Sequence, residues 1–337
     1  MRVDDFKYSL PESSIAQAAI EPRHDARLLD TRDSTDHHFL DLPLLLQPED
    51  LVVVNETRVR AARLVGRRQH SGGQVELLLL RARPDGLWEA LARPSRRLRP
   101  GIVIQFQGLT AELVEGPSDG MVVVELDAPD VEAAITAAGE IPLPPYFRGT
   151  LADRARYQTM FARATGSAAA PTAGLHFTPQ VVSGLSERRI AIASVDLHVG
   201  LDTFRPIAAE RIEDHEMHRE WCSVPERTAE AVDRTRAKGG KVVAVGTTVV
   251  RTLETFATEA GTVEAGTADT DLFLKPGDRF QVVDTLITNF HVPGSTLVVL
   301  VAAFMGDRWR EAYQTALDRG YRFLSFGDAM YAERDRP

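Results

Sequence analysis

The chain has a single cysteine, Cys222, among 337 residues. One thiol cannot form an intrachain disulfide, so the fold does not depend on disulfides, and the composition fits a reducing compartment. Long hydrophobic runs are also missing: the most apolar stretch, 296–305, is far shorter than the roughly 20 residues of a membrane helix, and we interpret it as a buried helix. The charged start, MRVDDFKYSL, has no signal-peptide core, so we expect a cytoplasmic protein.

Several common cofactor and catalytic motifs are missing as well. The chain contains no GxGxxG fingerprint, no Walker A loop and no GxSxG nucleophile elbow. The stretch VVAVGTTVVRTLE nevertheless combines an apolar strand, one glycine and a helix that begins with two threonines. Free N–H groups at such a helix start can hold a carboxylate, and the hydroxyls of Thr247 and Thr248 can contact a ribose.

Charge is unevenly distributed along the chain. The net charge of −9 argues against indiscriminate binding to nucleic acid. Residues 58–100, however, hold eleven arginines and three acidic residues, whereas residues 101–150 hold eight acidic residues and one arginine. Two interpretations stay open: the two blocks neutralise each other, or the basic block forms a face for a phosphate backbone.

Two secondary-structure patterns divide the chain. From about 60 to 147, short apolar stretches separated by turns predict a small β-barrel or sandwich, followed by a short helix over 129–138. From about 178, helical segments alternate with apolar strands, which predicts a mostly parallel α/β sheet with helices on both faces. Because LVVVN at 51–55 resembles the later strands, we assign 1–59 and 148–337 to an α/β catalytic domain and 60–147 to an inserted barrel domain.

Polar side chains follow five of the apolar strands. They are Asn55, Thr57 and Arg58 after LVVV, His198 after VDL, Thr247 and Thr248 after VVAVG, Asn289 and His291 in LITNFH, and Asp328 in a last strand expected over 321–331. In open α/β sheets, ligands bind outside the carboxyl ends of the strands, so the pattern predicts a shared small-molecule site. Polar loops also follow strands where no ligand binds, and this alternative stays open.

Histidines cluster in IEDHEMHRE, which contains Asp214, His215, His218 and Glu220. Two histidines beside carboxylates can bind a metal, but a zinc site normally has firmer spacing and a third clear ligand, so we expect no metal. The alternatives are a histidine paired with Asp214 for acid–base chemistry near neutral pH, and a structural hydrogen-bond cluster.

The stretch AAAPTAGLHFT at 168–178 sets Thr172 and His176 among small residues. We expect the small residues to let the backbone approach a flat ligand, and Gly174 to adopt a conformation that other residues resist. Ser295 and Thr296 begin a predicted helix, where capping is the default explanation of a hydroxyl residue.

Eleven motifs together resemble the S-adenosylmethionine:tRNA ribosyltransferase-isomerase family of queuosine biosynthesis. In order they are MRVDDFKYSLPESSIAQ, LVVVNETRVRAARLVGRR, SGGQVELLLL, IPLPPYFR, RYQTMFA, AAAPTAGLHFT, LHVGLDTFRPI, IEDHEMHRE, VVAVGTTVVRTLE, PGDRFQVVDTLITNFHVPGSTL and YRFLSFGDAM. They occur in order across nearly the whole chain, which makes the resemblance specific. No single motif would be specific by itself.

The resemblance implies an unusual use of S-adenosylmethionine, which is consumed as a carbon donor. Its ribosyl part is transferred to 7-aminomethyl-7-deazaguanine at the wobble position of a tRNA and isomerised, giving epoxyqueuosine-tRNA, adenine and methionine. The implied fold is an α/β domain with a smaller β-barrel. We expect S-adenosylmethionine and tRNA as partners, no metal, no membrane contact and a monomer.

Candidate roles follow from this chemistry. Neutral imidazoles suit the proton-transfer steps. The catalytic candidates are His176 and His215 first, then His198, His218 and His291, together with Asp214 as a carboxylate partner of a histidine. Candidates for substrate contacts are Asn55, Thr57, Arg58, Thr172, Gly174, Thr247, Thr248, Arg251, Asn289, Ser295, Thr296 and Asp328, with Arg58 and Arg251 suited to the methionine carboxylate. Candidates for tRNA phosphates are Arg67, Arg68, Arg96, Arg97 and Arg99.

Four residues depart from the family pattern. Asp202, Val249, Asp278 and Gly294 stand where the family usually has glycine, serine, an aromatic residue and a basic residue. These departures leave open a diverged paralogue that acts on a related RNA or deazapurine substrate. A non-catalytic RNA-binding protein would need only the barrel, and a methyltransferase would normally have a glycine-rich first turn that this chain lacks.

Overall fold

The computed structural model describes residues 1–118, 120–148, 153–200 and 206–335. Their contacts form two compact units, an α/β unit of residues 1–57, 144–164 and 170–337 and a barrel unit of residues 58–143 and 165–169. The predicted domains were 1–59 with 148–337 for the α/β domain and 60–147 for the barrel domain. Compact contacts do not show that a unit folds by itself, so these domain bounds stay a prediction.

The barrel unit contains a closed six-stranded barrel, in the strand order β10-β7-β6-β5-β8-β9. Its strands are β5 (Arg63–Arg68), β6 (Gln74–Ala82), β7 (Trp88–Arg93), β8 (Val103–Phe106), β9 (Leu109–Ser118) and β10 (Met121–Asp127). Val75, Leu77 and Leu79 of β6 are buried while their neighbours are more exposed, which is the alternation that fills a small barrel. Helix α2 (Val131–Ala138) follows, and Asp130 caps it by accepting a hydrogen bond from Ala133 N at 3.0 Å.

The α/β unit contains a nine-stranded sheet, in the order β15-β13-β12-β3-β14-β16-β17-β1-β2. Its strands are β1 (Arg27–Asp30), β2 (Thr35–His38), β3 (Leu51–Asn55), β12 (Ala191–Leu197), β13 (Glu220–Val224), β14 (Val242–Val245), β15 (Gly266–Thr270), β16 (Thr285–Asn289) and β17 (Ala329–Glu333). The central strands β12, β3, β14 and β16 are parallel, whereas the pairs β12–β13, β13–β15, β16–β17 and β1–β2 are antiparallel. Two short strands, β4 (Thr57–Val59) and β11 (Ala164–Ser167), lie outside this sheet.

Helices cover both faces of the sheet, as the sequence predicts. They are α1 (Leu42–Leu45), α3 (Pro179–Glu187), α4 (Glu226–Ala237), α5 (Thr247–Thr255), α6 (Thr296–Met305) and α7 (Arg308–Asp318). Leu51 and Val53 of β3 belong to the core that contains α4 to α7, while Val52 and Val54 belong to the core that contains α1 and α3. Both faces of the strand are therefore buried, which explains its unbroken apolar run.

The apolar stretch 296–305 is helix α6, and most of its side chains are buried in the core. No helix in the described ranges has the length and apolar character to span a membrane. The expected buried helix is therefore confirmed.

The last predicted strand is partly wrong. We expected a strand over 321–331, but residues 321–328 form an irregular segment with a turn at Ser325 and Phe326, and β17 begins at Ala329. Strand β17 runs antiparallel to β16, with Ala329 opposite Asn289. The reversed direction brings Asp328, which precedes β17, to the carboxyl end of β16, so this residue reaches the expected edge by a different route.

Candidate functional site

A cavity opens in the α/β unit at the carboxyl ends of β14 and β16. Its volume is about 570 Å³, including the part open to solvent. Six of the predicted substrate or catalytic residues line it: Thr172, Thr247, Thr248, Asn289, His291 and Ser295. Its position matches the rule that ligands bind outside the carboxyl ends of the strands in open α/β sheets.

Asn289 lies at the centre of the polar wall. Its side-chain oxygen accepts a hydrogen bond from Thr172 Oγ1 at 2.9 Å, and its side-chain nitrogen donates to the carbonyl oxygen of Asp328 at 3.2 Å. The same nitrogen lies 3.1 Å from His176 Nε2. Because an amide nitrogen only donates, His176 Nε2 is the acceptor, and a neutral imidazole then carries its proton on Nδ1.

His176 ends a short 3-10 helix, Thr172–His176, and is buried. Burial lowers the pKa of His176 to about 4, against an opposing effect of the Asp328 carboxylate. The ring faces a second, smaller cavity of about 270 Å³, which Arg23 and Arg322 also line. Asn289, rather than His176, forms the wall of the main cavity, so the histidine is connected to that cavity through the amide.

His291 lines the main cavity directly. Its Nε2 lies 2.9 Å from Thr288 Oγ1, and burial lowers its pKa to about 3. Its main chain is held on both sides, because the Tyr8 hydroxyl donates to its carbonyl oxygen and its N–H donates to the Tyr313 hydroxyl at 3.2 Å. His291 is therefore an uncharged and fixed imidazole at neutral pH.

Helix α5 begins at the cavity wall, directly after strand β14. Gly246 links the two with a φ of 91°, in the left-handed region that favours glycine. Gly246, Thr247 and Thr248 all line the cavity. The first N–H groups of a helix have no partner within the helix and carry its positive dipole end, so this corner suits an anionic or hydroxyl group of a ligand.

Asn55, Thr57 and Arg58 do not line this cavity among the described residues. Asn55 ties β3 to β12, since its amide donates to Leu197 O at 3.1 Å and its oxygen accepts from Thr57 N at 3.0 Å. The Asn55 amide also lies 3.3 Å from Thr248 Oγ1, so Asn55 positions a residue of the cavity wall. Thr57 is buried, and Arg58 is exposed in the barrel unit.

Arg251 is placed away from the cavity. It is buried and forms an ion pair with Glu220, and its remaining nitrogens donate to two main-chain carbonyl groups. Glu220 also accepts a hydrogen bond from Gly200 N at 2.6 Å. Each of the three guanidinium nitrogens binds an oxygen of the protein itself, so the geometry offers the predicted carboxylate contact no support.

The remaining histidine motif is also outside the cavity. Asp214 and His218 are exposed, and His215 is half-buried with its ring 5.6 Å from the ring of Phe273. Among the residues that the structure describes, no group of histidines and carboxylates is arranged to hold a metal ion. The motif therefore does not form a site with the six lining residues.

His198 packs against Trp221 with ring centroids 4.5 Å apart and the ring planes tilted by 40°, and its Nε2 lies 3.8 Å from Asp196. Its neighbour Val199 lines the cavity, but the His198 ring does not, within the ranges described. The structure thus separates this predicted residue from Asn289 and His291.

The AAAPTAGLHFT stretch differs from expectation in one respect. Gly174 does not have a positive φ, so no unusual backbone conformation explains this glycine. Space explains it instead, because a Cβ there would lie 3.1 Å from Thr159 Cγ2. Gly174 itself does not line the main cavity, whereas Ala170, Pro171, Thr172 and Ala173 do, as the close-approach interpretation requires.

Capping accounts for Ser295, whose Oγ accepts from Val298 N at 3.4 Å at the start of α6 and donates to Val292 O at 2.7 Å. Thr296 is the first residue of that helix and is not on the cavity wall.

The Asp328 carboxylate accepts hydrogen bonds from Arg27 N and Arg322 N, at 3.1 and 2.8 Å. Asp328 therefore shapes the site by holding the backbone beside Asn289.

Three of the four departures from the family pattern lie in described residues. Val249 is fully buried in the core, Asp278 accepts a hydrogen bond from Lys275 N at 2.8 Å, and Gly294 has a φ of 68°. Each is thus accounted for by local packing, a turn or backbone geometry. Asp202 lies outside the described residues.

Arginines of the barrel unit divide into two groups. Arg60, Arg63, Arg81 and Arg83 form ion pairs with carboxylates of the same unit. Within residues 58–118 and 120–143, no carboxylate lies within 4.0 Å of a second group, Arg67, Arg68, Arg93, Arg96, Arg97 and Arg99. The self-neutralising interpretation therefore holds for only part of the basic block.

Three polar side chains of the cavity wall, Tyr146, Thr288 and Ser325, were not predicted from the sequence. Tyr146 and Ser325 line the cavity, and their hydroxyl oxygens lie 2.5 Å apart. Both lie in motifs that were noted, IPLPPYFR and YRFLSFGDAM, but neither follows a strand, so the strand-end rule did not select them.

Comparisons with known proteins agree over the whole chain. Residues 3–332 match the family model described as queuosine biosynthesis protein. The S-adenosylmethionine:tRNA ribosyltransferase-isomerase of Moorella thermoacetica is 49% identical over 98% of this chain and 99% of its own length, and that of Anaeromyxobacter sp. is 49% identical over 99% and 100%. The crystal structure of S-adenosylmethionine tRNA ribosyltransferase from Thermotoga maritima is 35% identical, covers 97% of this chain and 99% of its own, and superposes with a TM-score of 0.56. The chain therefore belongs to the queuosine biosynthesis protein family and is an enzyme that combines transferase and isomerase activities.

Proposed function

We propose that the protein transfers the ribosyl part of S-adenosylmethionine to 7-aminomethyl-7-deazaguanine at the wobble position of a tRNA. The ribosyl unit is isomerised to the epoxide of epoxyqueuosine, and adenine and methionine are released. The observation that carries the proposal is the similarity to enzymes named for this transfer, which extends over 98% of the chain. We further propose that the enzyme works as a cytoplasmic monomer without a metal.

The main cavity supports this proposal by its chemistry. S-adenosylmethionine carries a sulfonium, a carboxylate and ribose hydroxyls. The start of α5, with Thr247 and Thr248, offers N–H groups and hydroxyls to the carboxylate or the ribose. His291 and Asn289 offer uncharged polar groups, which bind a cationic substrate without charge repulsion.

Proton transfer from the carbon beside the sulfonium requires a base near the cavity. His176 and His291 are both neutral at pH 7, so each can accept a proton there. Their lowered pKa values make them weak bases in the free enzyme. Of the two, His291 lines the main cavity, whereas His176 is connected to it only through Asn289.

One assay separates this proposal from its rivals. The protein is incubated with S-adenosylmethionine and tRNA that carries 7-aminomethyl-7-deazaguanine, and the products are analysed by mass spectrometry. Adenine, methionine and a tRNA of increased mass support ribosyl transfer. S-adenosylhomocysteine would show a methyltransferase, and no turnover with retained tRNA binding would show a non-catalytic RNA-binding protein. Turnover only with another deazapurine RNA would show a diverged paralogue.

The position of the unpaired arginines supports a tRNA contact at one end of the barrel. Arg67 and Arg68 end β5, and Arg67 lies opposite Gln74, the first residue of β6. The connection from β7 to β8, residues 94–102, carries Arg96, Arg97 and Arg99 and joins the same end, since Gln69 N donates to Val103 O at 2.9 Å. These arginines lie at one end of the barrel and have no carboxylate partner within the described residues of the barrel unit. Such a group of cations can bind a phosphate backbone.

Replacing Arg96, Arg97 and Arg99 with glutamine is therefore expected to flatten the salt dependence of tRNA binding. The log–log slope should fall by roughly one unit or less for each phosphate group that no longer pairs with an arginine. Equilibrium binding at several salt concentrations measures this slope. Arg63→Gln with Arg83→Gln is the matched control, because both arginines already have carboxylate partners. An unchanged slope in the triple variant would favour self-neutralisation.

His215 gives a second prediction. If proton transfer takes place in the main cavity, His215→Ala should keep turnover within about tenfold of the unmodified protein, because its half-buried ring lies against Phe273. The single-turnover rate of product formation measures this effect. A loss of about 10²-fold or more with unchanged thermal stability would place a proton-transfer step at His215 instead.

A further inference from the structure

Ser325 lies where the two cavities of the α/β unit meet. It is buried, and it lines both the main cavity and the smaller cavity beside His176. No other hydroxyl side chain in the described ranges lines both. A ligand that spans both cavities therefore passes close to the Ser325 side chain.

Hydrogen bonding leaves a donor at this position. The Tyr146 hydroxyl and Ser325 Oγ lie 2.5 Å apart, so they share one hydrogen bond. A phenol is more acidic than an aliphatic alcohol and is the better donor, so Tyr146 donates and Ser325 accepts. The Ser325 hydrogen is then left for another acceptor, and accepting a short hydrogen bond polarises its O–H group further.

Tyr157 adds a second hydroxyl to the same region. It is fully buried, and its hydroxyl oxygen has no hydrogen-bond partner among the described residues. Burial raises the pKa of Tyr157, so its hydroxyl stays protonated. A buried hydroxyl without a partner is rare in a native protein and indicates that a ligand or water completes the group.

The loop that carries Ser325 is rigidly built. Leu324 has a φ of 70°, which is unusual for a residue other than glycine, and its N–H donates to Phe290 O at 3.0 Å. A Cβ at Gly327 would lie 2.3 Å from Arg322 O, so only glycine fits there. The Asp328 carboxylate binds Arg322 N at 2.8 Å. Such a strained and tied loop holds a side chain in one place, which is common at functional sites.

We propose that Ser325 contacts the substrate and donates a hydrogen bond to an oxygen of the ribosyl group, and that Tyr146 positions and polarises it. This inference rests on the proposed function, because the ribosyl group comes from S-adenosylmethionine. The ribose ring oxygen only accepts hydrogen bonds, so it requires a donor once water has left the cavity. Ser325 supplies that donor at the junction of the two cavities.

The test compares single-turnover rates of ribosyl transfer for Ser325→Ala, Tyr146→Phe and the double variant. Ser325→Ala is expected to lose at least about tenfold in rate. Tyr146→Phe should lose somewhat less, and the double variant should be no slower than Ser325→Ala, since Tyr146 acts through Ser325. Ser325→Cys keeps the size but donates weakly, and should show a loss similar to that of Ser325→Ala.

Tyr321→Phe is the matched control, because its hydroxyl also donates one hydrogen bond, to Asp36 at 2.7 Å, and does not line either cavity. The proposal is overturned if Ser325→Ala and Ser325→Cys both react within twofold of the unmodified protein, or if the rate losses of the two single variants multiply. If the unmodified protein itself forms no product, the proposed function fails instead, which separates the two outcomes.

Discussion

Asn289→Asp is expected to lower turnover by about 10²- to 10³-fold at neutral pH, a loss typical of removing a preorganised polar group from an active site. Asn289 makes three side-chain contacts on the cavity wall, with Thr172, His176 and the main chain of Asp328. An aspartate has nearly the same shape and can still accept from Thr172. It cannot donate to His176 Nε2 or to the Asp328 carbonyl oxygen, and it places a negative charge beside both.

The substitution also changes the charge of His176. A carboxylate at hydrogen-bond distance favours the protonated imidazole, so the pKa of His176 should rise from its low value. The neutral His176 and its acceptor nitrogen would then no longer be present at pH 7. Single-turnover kinetics measures the rate, and an NMR titration of the histidine rings measures the change in pKa.

Thr172→Val is the matched control for this experiment. It removes only the hydroxyl that donates to Asn289 Oδ1, and the two other contacts of the amide remain. A loss of about tenfold or less is expected, the value of one neutral hydrogen bond. If Asn289→Asp kept turnover within tenfold at unchanged thermal stability, the amide would be structural and the proton transfer would depend on other residues.

The fold was largely predictable because the buried environment of its central strands restricts which residues can occupy them. Strands β3, β14 and β16 are buried on both faces, so β3 has four apolar residues before Asn55, β14 is wholly apolar and β16 has an apolar centre, Leu286 and Ile287. Helix α3 was marked by Thr178 and Pro179 at its start, and Gly239, with a φ of 76°, follows the end of α4.

The edges of the sheet were not predictable in the same way. Strand β2 is mostly exposed, with the sequence TDHH, and it is a strand only because β1 pairs with it. Strand β17 lies inside the sheet, between β16 and β1, but its direction depends on the connection from α7, which has no local signal in its residues. The sequence could therefore predict the parallel centre, whereas the edge strand β2 and the antiparallel direction of β17 against β16 follow from tertiary pairing.

The candidate site was predictable to the extent that it follows the strand-end rule. Asn289, Thr247 and Thr248 were found because they come directly after apolar strands. Arg251 fits the same pattern, yet it is turned into a buried ion pair with Glu220, a residue 31 positions away along the chain. Tyr146 and Ser325 lie in irregular loops, so only the folded chain brings their hydroxyls together.

Acidification is expected to destabilise the α/β unit because it holds two buried neutral histidines. Burial lowers the pKa of His176 to about 4 and that of His291 to about 3, both from 6.5. Above pH 6.5 both rings are neutral in the folded and unfolded chain, so protonation does not affect stability. Between pH 6.5 and the folded values, only the unfolded chain binds the protons, and stability therefore falls as the pH falls.

Each of the two histidines contributes about 1.4 kcal/mol of destabilisation for every pH unit in this range. A change from pH 6.5 to pH 5 should then lower the free energy of unfolding by on the order of 2 kcal/mol per histidine. Urea denaturation at several pH values, followed through the fluorescence of Trp221 and Trp309 in a Trp88→Phe background, measures the effect in the α/β unit. The urea midpoint should decrease steadily below pH 6.5.

His176→Gln and His291→Gln test the origin of this pH dependence. Glutamine does not titrate, so each variant should start less stable at pH 7 but lose stability more slowly on acidification, and the double variant should show the flattest profile. His70→Gln is the control, because that ring is exposed in the barrel unit and its replacement should leave the profile unaltered. Profiles that stayed equally steep in both buried-histidine variants would mean that the two rings are solvated or already charged in the folded chain. The proposed binding of a cationic substrate depends on uncharged histidines at the cavity. That part of the proposal would then be wrong.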